Sequence, residues 1–574
     1  MVNKDLTDPL AQWLAMAPGQ ADMEVADRTR PLPASAAQRG LWLAQQISGE
    51  RSTGYVVRHA YRLRGHLHID ALASGVSKLI ERHEILRTTF TVVDGELTQR
   101  IEPATDVPLD PIPIPGTTPE QRLAALDQML ASEVRRPVDL ESDPMLRARL
   151  FQLDTDDAIL LLVVHHIAND AWSMGVLHSD LAELYAAAVD ARPPQLPNLP
   201  VQYADFASWQ HGQLSGPEAT EQLAYWRTRL NGAPPLLAVP TDRPRPPVQS
   251  FAGGWISFHG SPELAAAVDA TARGAAVTRF TVLLAAFQVV LSRWSGQHDL
   301  VIGTGVSQRP VPETEDMIGP FTNVLPLRQT IRPELTLAAV LAESGTTLLT
   351  ALRHGEVPFE TLLDKLDVPR SPAFNPLTQV AISSHEGLIE PLELTGLRTD
   401  YLPAEQVDAQ RDLTLFITTE GALTGRLAYA ADLFDKRTIA TLVADYLTVL
   451  DAAANRPGTG VGDLVLQGPP RKTAAPAPQP TPASTAPDDT LLPLVREAWA
   501  AVLNRPDVTP VDDFFLLGGT SMAAMRLCTR LSYELGIRVP VRSLFGASRL
   551  SAFTARVHDL VATHLSHDRP SDNR

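Results

Sequence analysis

The residues best suited to chemistry stand together at Val164-His165-His166-Ile167-Ala168-Asn169-Asp170-Ala171-Trp172-Ser173. Two imidazoles end an apolar run, and a carboxylate follows four residues after the second. Imidazole titrates near neutrality and can take a proton at pH 7. Successive side chains on a strand point to opposite faces. His165 and His166 are therefore poorly placed to ligate one metal, and only one of them can face a given cavity. Asp170 is suited to pairing with a distant base or to orienting the loop. Two core histidines with satisfied hydrogen bonds are the structural alternative. A second place of interest is Asp512-Asp513-Phe514-Phe515-Leu-Leu-Gly518-Gly519-Thr520-Ser521-Met522. The glycines permit a tight turn. Ser521 falls at a helix N-terminus, where backbone N–H groups favour a phosphate. A serine there is either a simple helix cap or an attachment point.

The elements that must hold these residues are legible in outline. Ala158 to Val164 is a continuous apolar run, the pattern of a strand buried on both faces. Ser173 to Ala188 places Val176, Leu177, Leu181, Leu184 and Tyr185 on one helical face, with Ser173 as the expected N-cap. Upstream, the spacing predicts a helix over Ile69–His83 and a strand over Leu86–Val93, with Asp94-Gly95 supplying hairpin chemistry. Downstream, a helix around Thr281–Trp294, a strand around Leu300–Gly303 and a helix around Leu335–His354 repeat the alternation. The expected class is α/β in two lobes. The proline-rich crossing Pro193–Pro200 separates lobes of about 31–195 and 196–466. Residues 467–487 read as a semi-extended Pro/Ala linker. It leads to a small domain at 488–565, with a tail at 566–574, and residues 1–30 read either as a docking segment or as a frayed terminus.

Composition narrows the class. The 574 residues carry 49 Lys+Arg against 66 Asp+Glu, a formal charge of −17. A protein that neutralises phosphates would be basic, so no nucleic-acid partner is expected. One cysteine excludes a disulfide framework and every multi-cysteine metal site. The longest apolar stretches, Ala158–Val164 and Val282–Leu291, fall short of the ~18–20 residues a spanning helix needs. No membrane contact, no metal and a cytoplasmic location are expected. No nucleophile elbow, Walker loop or dinucleotide fingerprint occurs. Ser344-Gly345-Thr346-Thr347 lacks the Lys-Gly of an adenylation phosphate loop and reads as helix surface.

His165-His166-x-x-x-Asp170 resembles the active-site signature of nonribosomal peptide synthetase condensation domains. Further motifs follow in that family's order: Ser35-Ala-Ala-Gln38-Arg39-Gly-Leu41-Trp42, Arg82-His83-Glu84-Ile85-Leu86-Arg87-Thr88-Thr89-Phe90, Tyr203-Ala-Asp205-Phe206-Ala207-Ser-Trp209, Ile318-Gly319-Pro320-Phe321-Thr322-Asn323 through Arg328, Val357-Pro358-Phe359-Glu360, and Arg370 through Leu377. The segment Phe514 to Ser521 resembles the peptidyl carrier (thiolation) motif, with Thr520 at a place more often His or Asp.

The resemblance implies a V-shaped pair of chloramphenicol-acetyltransferase-like lobes enclosing a tunnel, plus a four-helix carrier domain. It implies His166 as the central catalytic residue beside His165, with Asp170 paired to Arg309 to pin the loop. Ala171, Trp172, Ser173 and Asn323 would line the tunnel. Ser521 would carry 4'-phosphopantetheine. The implied activity is an acyltransferase of secondary-metabolite and antibiotic biosynthesis, joining a donor acyl or peptidyl thioester to an acceptor amine. The implied partners are an upstream donor carrier protein, a phosphopantetheinyl transferase, a separate adenylation enzyme that loads Ser521 in trans, and a thioesterase or further carrier downstream. Transfer to a soluble amine or alcohol, or an inactive recruitment platform, are the other readings. Ala171 departs from the family's glycine, and its effect turns on whether the backbone there is ordinary. The Ile167-Ala168 choice and the Asp180-Leu181 spacing are similar to those of condensation domains that accept a D-configured donor.

Overall fold

In a computed structural model, the described residues are 23–48, 54–366, 368, 371, 373–384, 392–403, 407–469, 491–515, 517–519 and 521–567. Most of residues 1–30, most of the linker and the tail thus lie outside them, as do Arg370 and Thr520.

The first lobe is built on a five-stranded sheet in the order Arg398–Tyr401, Val56–Arg64, Asp157–His165, Leu146–Asp154, Ile112–Pro113. Its central strand, Asp157–His165, is buried along nearly its whole length. Leu160, Leu162 and Val164 pack toward the helices Ile69–Arg82 and Ala171–Val189. Ile159, Leu161 and Val163 pack toward the helix Pro119–Arg135. Each such side chain contributes roughly 1.5–3 kcal/mol on burial, so both faces hold the strand that ends at the two histidines. A hairpin of Thr88–Val93 and Glu96–Ile101 adds a smaller sheet, its turn formed by Asp94 and Gly95 at φ 52° and 78°.

The second lobe carries a seven-stranded sheet in the order Thr322–Thr330, Asp299–Ser307, Val380–Ser384, Leu413–Ile417, Thr424–Ala430, Ala252–His259, Val407–Asp408. The helices Arg279–Ser295, Leu337–Arg353 and Lys436–Asn455 enclose its core. Thr278 caps Arg279–Ser295 at its start, and Gly296 ends it in the left-handed region at φ 71°.

Three sequence expectations change here. The segment after 196 does not all belong to the second lobe, because Arg398–Tyr401 crosses back to pair with Arg64–Tyr61 of the first. Ser173 is not the N-cap: the helix runs Ala171–Val189, and Asp170 caps it by accepting from Ser173 N–H. Ser344 is not helix surface, since it is fully buried with Oγ 2.7 Å from Gln288 Oε1.

The small domain has helices Leu492–Leu503, Ser521–Leu535, Arg542–Phe545 and Leu550–His567. Trp499, Phe514 and Phe553 are its largest buried side chains. The helix Arg542–Phe545 rests on Ala36–Ser48 of the first lobe. Arg526 pairs with Glu96, and Arg538 lies 3.8 Å from Glu141. Among the described residues no single helix is long and apolar enough to cross a membrane.

Candidate functional site

The strand Asp157–His165 runs into a short 3₁₀ turn, His166–Ala168, which the helix Ala171–Val189 follows. The turn separates the two imidazoles. His165 is 1 % exposed and does not face the cavity. Its Nδ1 accepts from Ile167 N–H at 3.0 Å, so the neutral ring carries its proton on Nε2. Burial, followed by the influence of His166 and Arg147, pushes its pKa down to about 3. The neutral ring is part of the core, with Nε2 buried and without a hydrogen-bond partner among the described residues.

His166 lines a cavity of ≈ 1210 Å³ whose walls come from both lobes. Burial lowers its pKa, against the opposing effects of a hydrogen bond with the Asn169 backbone and the nearby Asp170 carboxylate. The ring is therefore held in its neutral form.

Asp170 is occupied in holding the loop. Its Oδ1 accepts from Ser173 N–H at 2.9 Å and Ser173 Oγ–H at 2.6 Å. Its Oδ2 accepts from Phe321 N–H at 3.0 Å and Thr322 Oγ1–H at 3.3 Å. Arg309 Nη2 stands 3.6 Å from Asp170 Oδ1 and donates to Ser173 Oγ at 3.1 Å. The guanidinium also lies 4.1 Å from the Phe321 ring centroid and donates to the Thr314 and Met317 carbonyls. Buried charges fix geometry more than they stabilise, and this set joins the start of a first-lobe helix to a second-lobe loop.

The expected tunnel residues divide. Trp172 lines the cavity, 42 % exposed, with its indole N–H donating to the Glu315 carbonyl at 3.0 Å. Ala171 lines it at the first position of the helix, and its φ is not positive, so the backbone there asks nothing that only glycine supplies. Ser173 is fully buried behind the wall, bonded to Asp170 and Gly319, and does not line the tunnel. Asn323 lines the cavity, but its amide is bound to backbone: Nδ2 donates to the Gly355 and Val357 carbonyls, and Oδ1 accepts from Phe359 N–H. It positions the 355–359 loop.

No motif points to Asn169, which lines the same wall with Oδ1 unpartnered among the described residues. Nor do the motifs reveal that several of them form clamps away from the chemistry. Arg82 and His83 both bond Asp180, at 2.7 and 2.8 Å, and Asp180 is not among the residues that line the cavity. Tyr203 Oη bridges Ser35 Oγ at 2.9 Å and the Pro320 carbonyl at 3.0 Å, its ring filling the space a side chain at Gly319 would take. No group of three or more His, Cys, Asp or Glu suited to a metal ion occurs among the described residues.

In the small domain, Gly519 N–H donates to the Phe514 carbonyl at 2.9 Å, and Gly518 takes φ 90°. A β-carbon at Gly519 would overlap the buried Phe514 ring. The turn is thus confined to glycine, and it delivers the chain to a helix beginning at Ser521. A compact glycine turn before a helix of 15 residues fits a phosphodiester-linked arm. The lone Cys528 is buried with its thiol pushed up by burial, so it offers no competing nucleophile.

Comparison with known proteins agrees with this architecture. The condensation-domain family model matches residues 29–473, and the phosphopantetheine attachment site model matches 493–557. The chain is 39 % identical over 468 residues to one of the linear gramicidin synthase polypeptides of Brevibacillus parabrevis, covering 80 % of this chain and 9 % of that protein. It is 37 % identical over 437 residues to the phosphinothricin tripeptide synthetase PhsC of Streptomyces viridochromogenes, covering 75 % of this chain and 40 % of that protein. The chain therefore spans a minor part of these relatives. Among solved structures, the X-domain from teicoplanin biosynthesis is 31 % identical with a TM-score of 0.71, over 78 % of this chain and 100 % of that one. The same domain in complex with OxyB gives 32 % and 0.72, over 78 % of this chain and 99 % of that one. The chain belongs to the condensation-domain family of nonribosomal peptide synthetases, with a carrier domain of the type that holds 4'-phosphopantetheine covalently following the condensation domain.

Proposed function

We propose that the chain forms an amide bond between a donor acyl or peptidyl thioester and an acceptor amine, with His166 as the catalytic residue and Ser521 as the attachment point of the prosthetic arm. The observation that carries this is the placement of His166: a neutral imidazole presented to a cavity shared by both lobes, with Asp170 directed into the loop behind it.

When bound at Ser521, 4'-phosphopantetheine supplies a thiol that holds the acceptor unit as a thioester. The chain's own residues do the rest. His166 takes the proton that the amine nitrogen loses as the new C–N bond forms. The donor C–S bond breaks, and the departing thiolate is neutralised by that proton. General-base action of this kind is worth ~10²–10⁴-fold, and alignment of both reactants in one cavity supplies further acceleration. Asp170, Arg309 and Ser173 act by positioning: the carboxylate is bonded to Ser173, Phe321 and Thr322, and Arg309 donates to Ser173 Oγ. The carrier rests on Ala36–Ser48, a helix whose Gly40, Leu41 and Ala44 line the cavity, which supports the acceptor role for this carrier. The donor then arrives on another protein's carrier, and an adenylating enzyme loads Ser521 in trans.

The test is reconstitution: the chain converted to its pantetheinylated form, loaded with an aminoacyl group, and mixed with an acylated donor carrier. Amide product detected by mass spectrometry supports the reading. A second reading has one observation in its favour, the similarity to an X-domain solved in complex with OxyB. A recruitment platform would yield no product in that mixture and would bind a tailoring enzyme instead.

A further inference from the structure

We propose that Arg411 binds a carboxylate carried by the acceptor, so that the cavity selects an acidic acceptor unit. The inference rests on the acceptor role proposed above for the attached carrier. Arg411 lines the cavity from the second lobe, and its side chain forms no hydrogen bond and no ion pair among the described residues. Nε is closed off without a partner, whereas Nη1 and Nη2 are not closed off and open on the cavity. Burial lowers the pKa of the group, against the opposing effects of Tyr55 and Glu360. A guanidinium nevertheless keeps its charge. A charge taken from water without a partner is costly, so an anion that pairs with Arg411 supplies what the fold does not.

The neighbouring carboxylates do not serve. Asp412 is held by Arg245, whose Nη1 donates to Oδ1 at 2.8 Å. Glu360 influences the guanidinium but forms no ion pair with it, its side chain lying over Gly40, where a β-carbon would overlap it. The two oxygens of a carboxylate match the parallel donors Nη1 and Nη2. A hydroxyl or a carboxamide would leave the charge uncompensated, and an ammonium would be repelled.

The side chain is carried by a fixed backbone beside the catalytic turn. Ala409 N–H donates to the Phe251 carbonyl at 2.8 Å, and Asn375 Nδ2 donates to the Gln410 carbonyl at 2.6 Å. Gln410 Nε2 donates to the Gly54 carbonyl at 2.9 Å, and the carbonyl of the next residue, Tyr55, accepts from His166 N–H at 2.7 Å. The helix Phe359–Lys365, which carries Glu360, packs on Ala36–Ser48, the helix on which the carrier rests. Arg411 is thus reached from the acceptor side. The carboxylate comes either from the side chain of an aminoacyl unit on the arm or from the α-carboxylate of a free amino acid acting as a soluble acceptor. The arm's phosphate stands at the opposite end from the thioester and is not the expected partner.

The experiment uses the full chain with Ser521 unmodified, and pantetheine analogues in which an amide replaces the thioester. Aspartyl is compared with asparaginyl, glutamyl with glutaminyl, and free glycine with glycinamide. Calorimetric affinities are measured for wild type, Arg411→Leu and Arg411→Lys, with thermal unfolding to confirm that each variant folds. In wild type the carboxylate member of at least one pair binds about tenfold tighter. Arg411→Leu brings that ratio below about twofold, and Arg411→Lys keeps part of it. Preference in either aminoacyl pair assigns the carboxylate to the loaded unit, and preference in the glycine pair alone assigns it to a soluble acceptor. Equal affinities in all pairs, no binding at all, or a preference that survives in Arg411→Leu overturns the inference. So does an Arg411-dependent preference for phosphorylated over plain asparaginyl pantetheine, which would place the phosphate there instead. Should Arg411→Leu fail to fold, the wild-type ratio and its partial retention in Arg411→Lys decide. Binding does not require turnover, so preference without condensation of the reactive thioesters would count against the proposed function and not against Arg411.

Discussion

Arg309 and Asp170 meet across the boundary between the lobes, Nη2 to Oδ1 at 3.6 Å, with each side chain only 5 % exposed. Ser173 Oγ lies between them, 2.6 Å from the carboxylate and 3.1 Å from the guanidinium. Removing one charge leaves the other buried and uncompensated, which typically costs about 3–5 kcal/mol. Asp170→Ala and Arg309→Ala should each lower stability by about that amount in urea unfolding. They should also reduce condensation, because the loop presenting His166 loses its anchor. A variant as stable as wild type would show that the pair does not pin the loop.

Ala171 sits in ordinary helical backbone, so the family's glycine offers nothing here. Ala171→Gly should raise the condensation rate by less than about twofold and lower stability by up to about 1 kcal/mol, the propensity difference between the two residues. A large rise in rate would show that the methyl group obstructs the cavity.

His165 makes stability depend on pH. Its folded pKa of about 3 lies below the unfolded value of about 6.5. Below pH 6.5 the unfolded chain binds a proton that the folded chain refuses. The contribution is complete above pH 6.5 and declines as pH falls toward 3. At pH 5 the loss is on the order of 2 kcal/mol. Urea midpoints of wild type should fall over this window, and His165→Gln should flatten the fall. An unchanged slope in the variant would place the effect elsewhere.

The carrier's ion pairs on the first lobe are exposed: 53 % and 49 % for Arg526 and Glu96, 76 % and 55 % for Arg538 and Glu141. Such pairs contribute between about 0 and 1 kcal/mol and are screened by salt. The docked arrangement should therefore give way to an extended one as salt is raised toward 1 M. Glu96→Arg should shift that transition to lower salt, read as the radius of gyration from solution scattering. A salt-independent radius would show that the apolar contact of Arg542–Phe545 with Ala36–Ser48 holds the domain by itself.

Sequence is most informative where local rules decide the outcome. The buried run at Ala158–Val164, the Asp94-Gly95 hairpin and the helices around Thr281–Trp294 and Leu335–His354 follow from periodicity and turn chemistry. What stays hidden depends on pairing between distant segments. The return of Arg398–Tyr401 to the first lobe rests on a register with Val56–Arg64, to which no local signal points. Serine favours the cap position, which points to Ser173, yet Asp170 three residues earlier holds that place more strongly as a charged acceptor.

The most direct test of the account replaces His166 and leaves the carrier intact. His166→Ala should still gain the arm from coenzyme A and a phosphopantetheinyl transferase, and still accept an aminoacyl load, both seen by intact mass. With an acylated donor carrier it should form product at least about 10²-fold more slowly than wild type. Product formation at the wild-type rate would contradict the central claim that this imidazole performs the proton transfer.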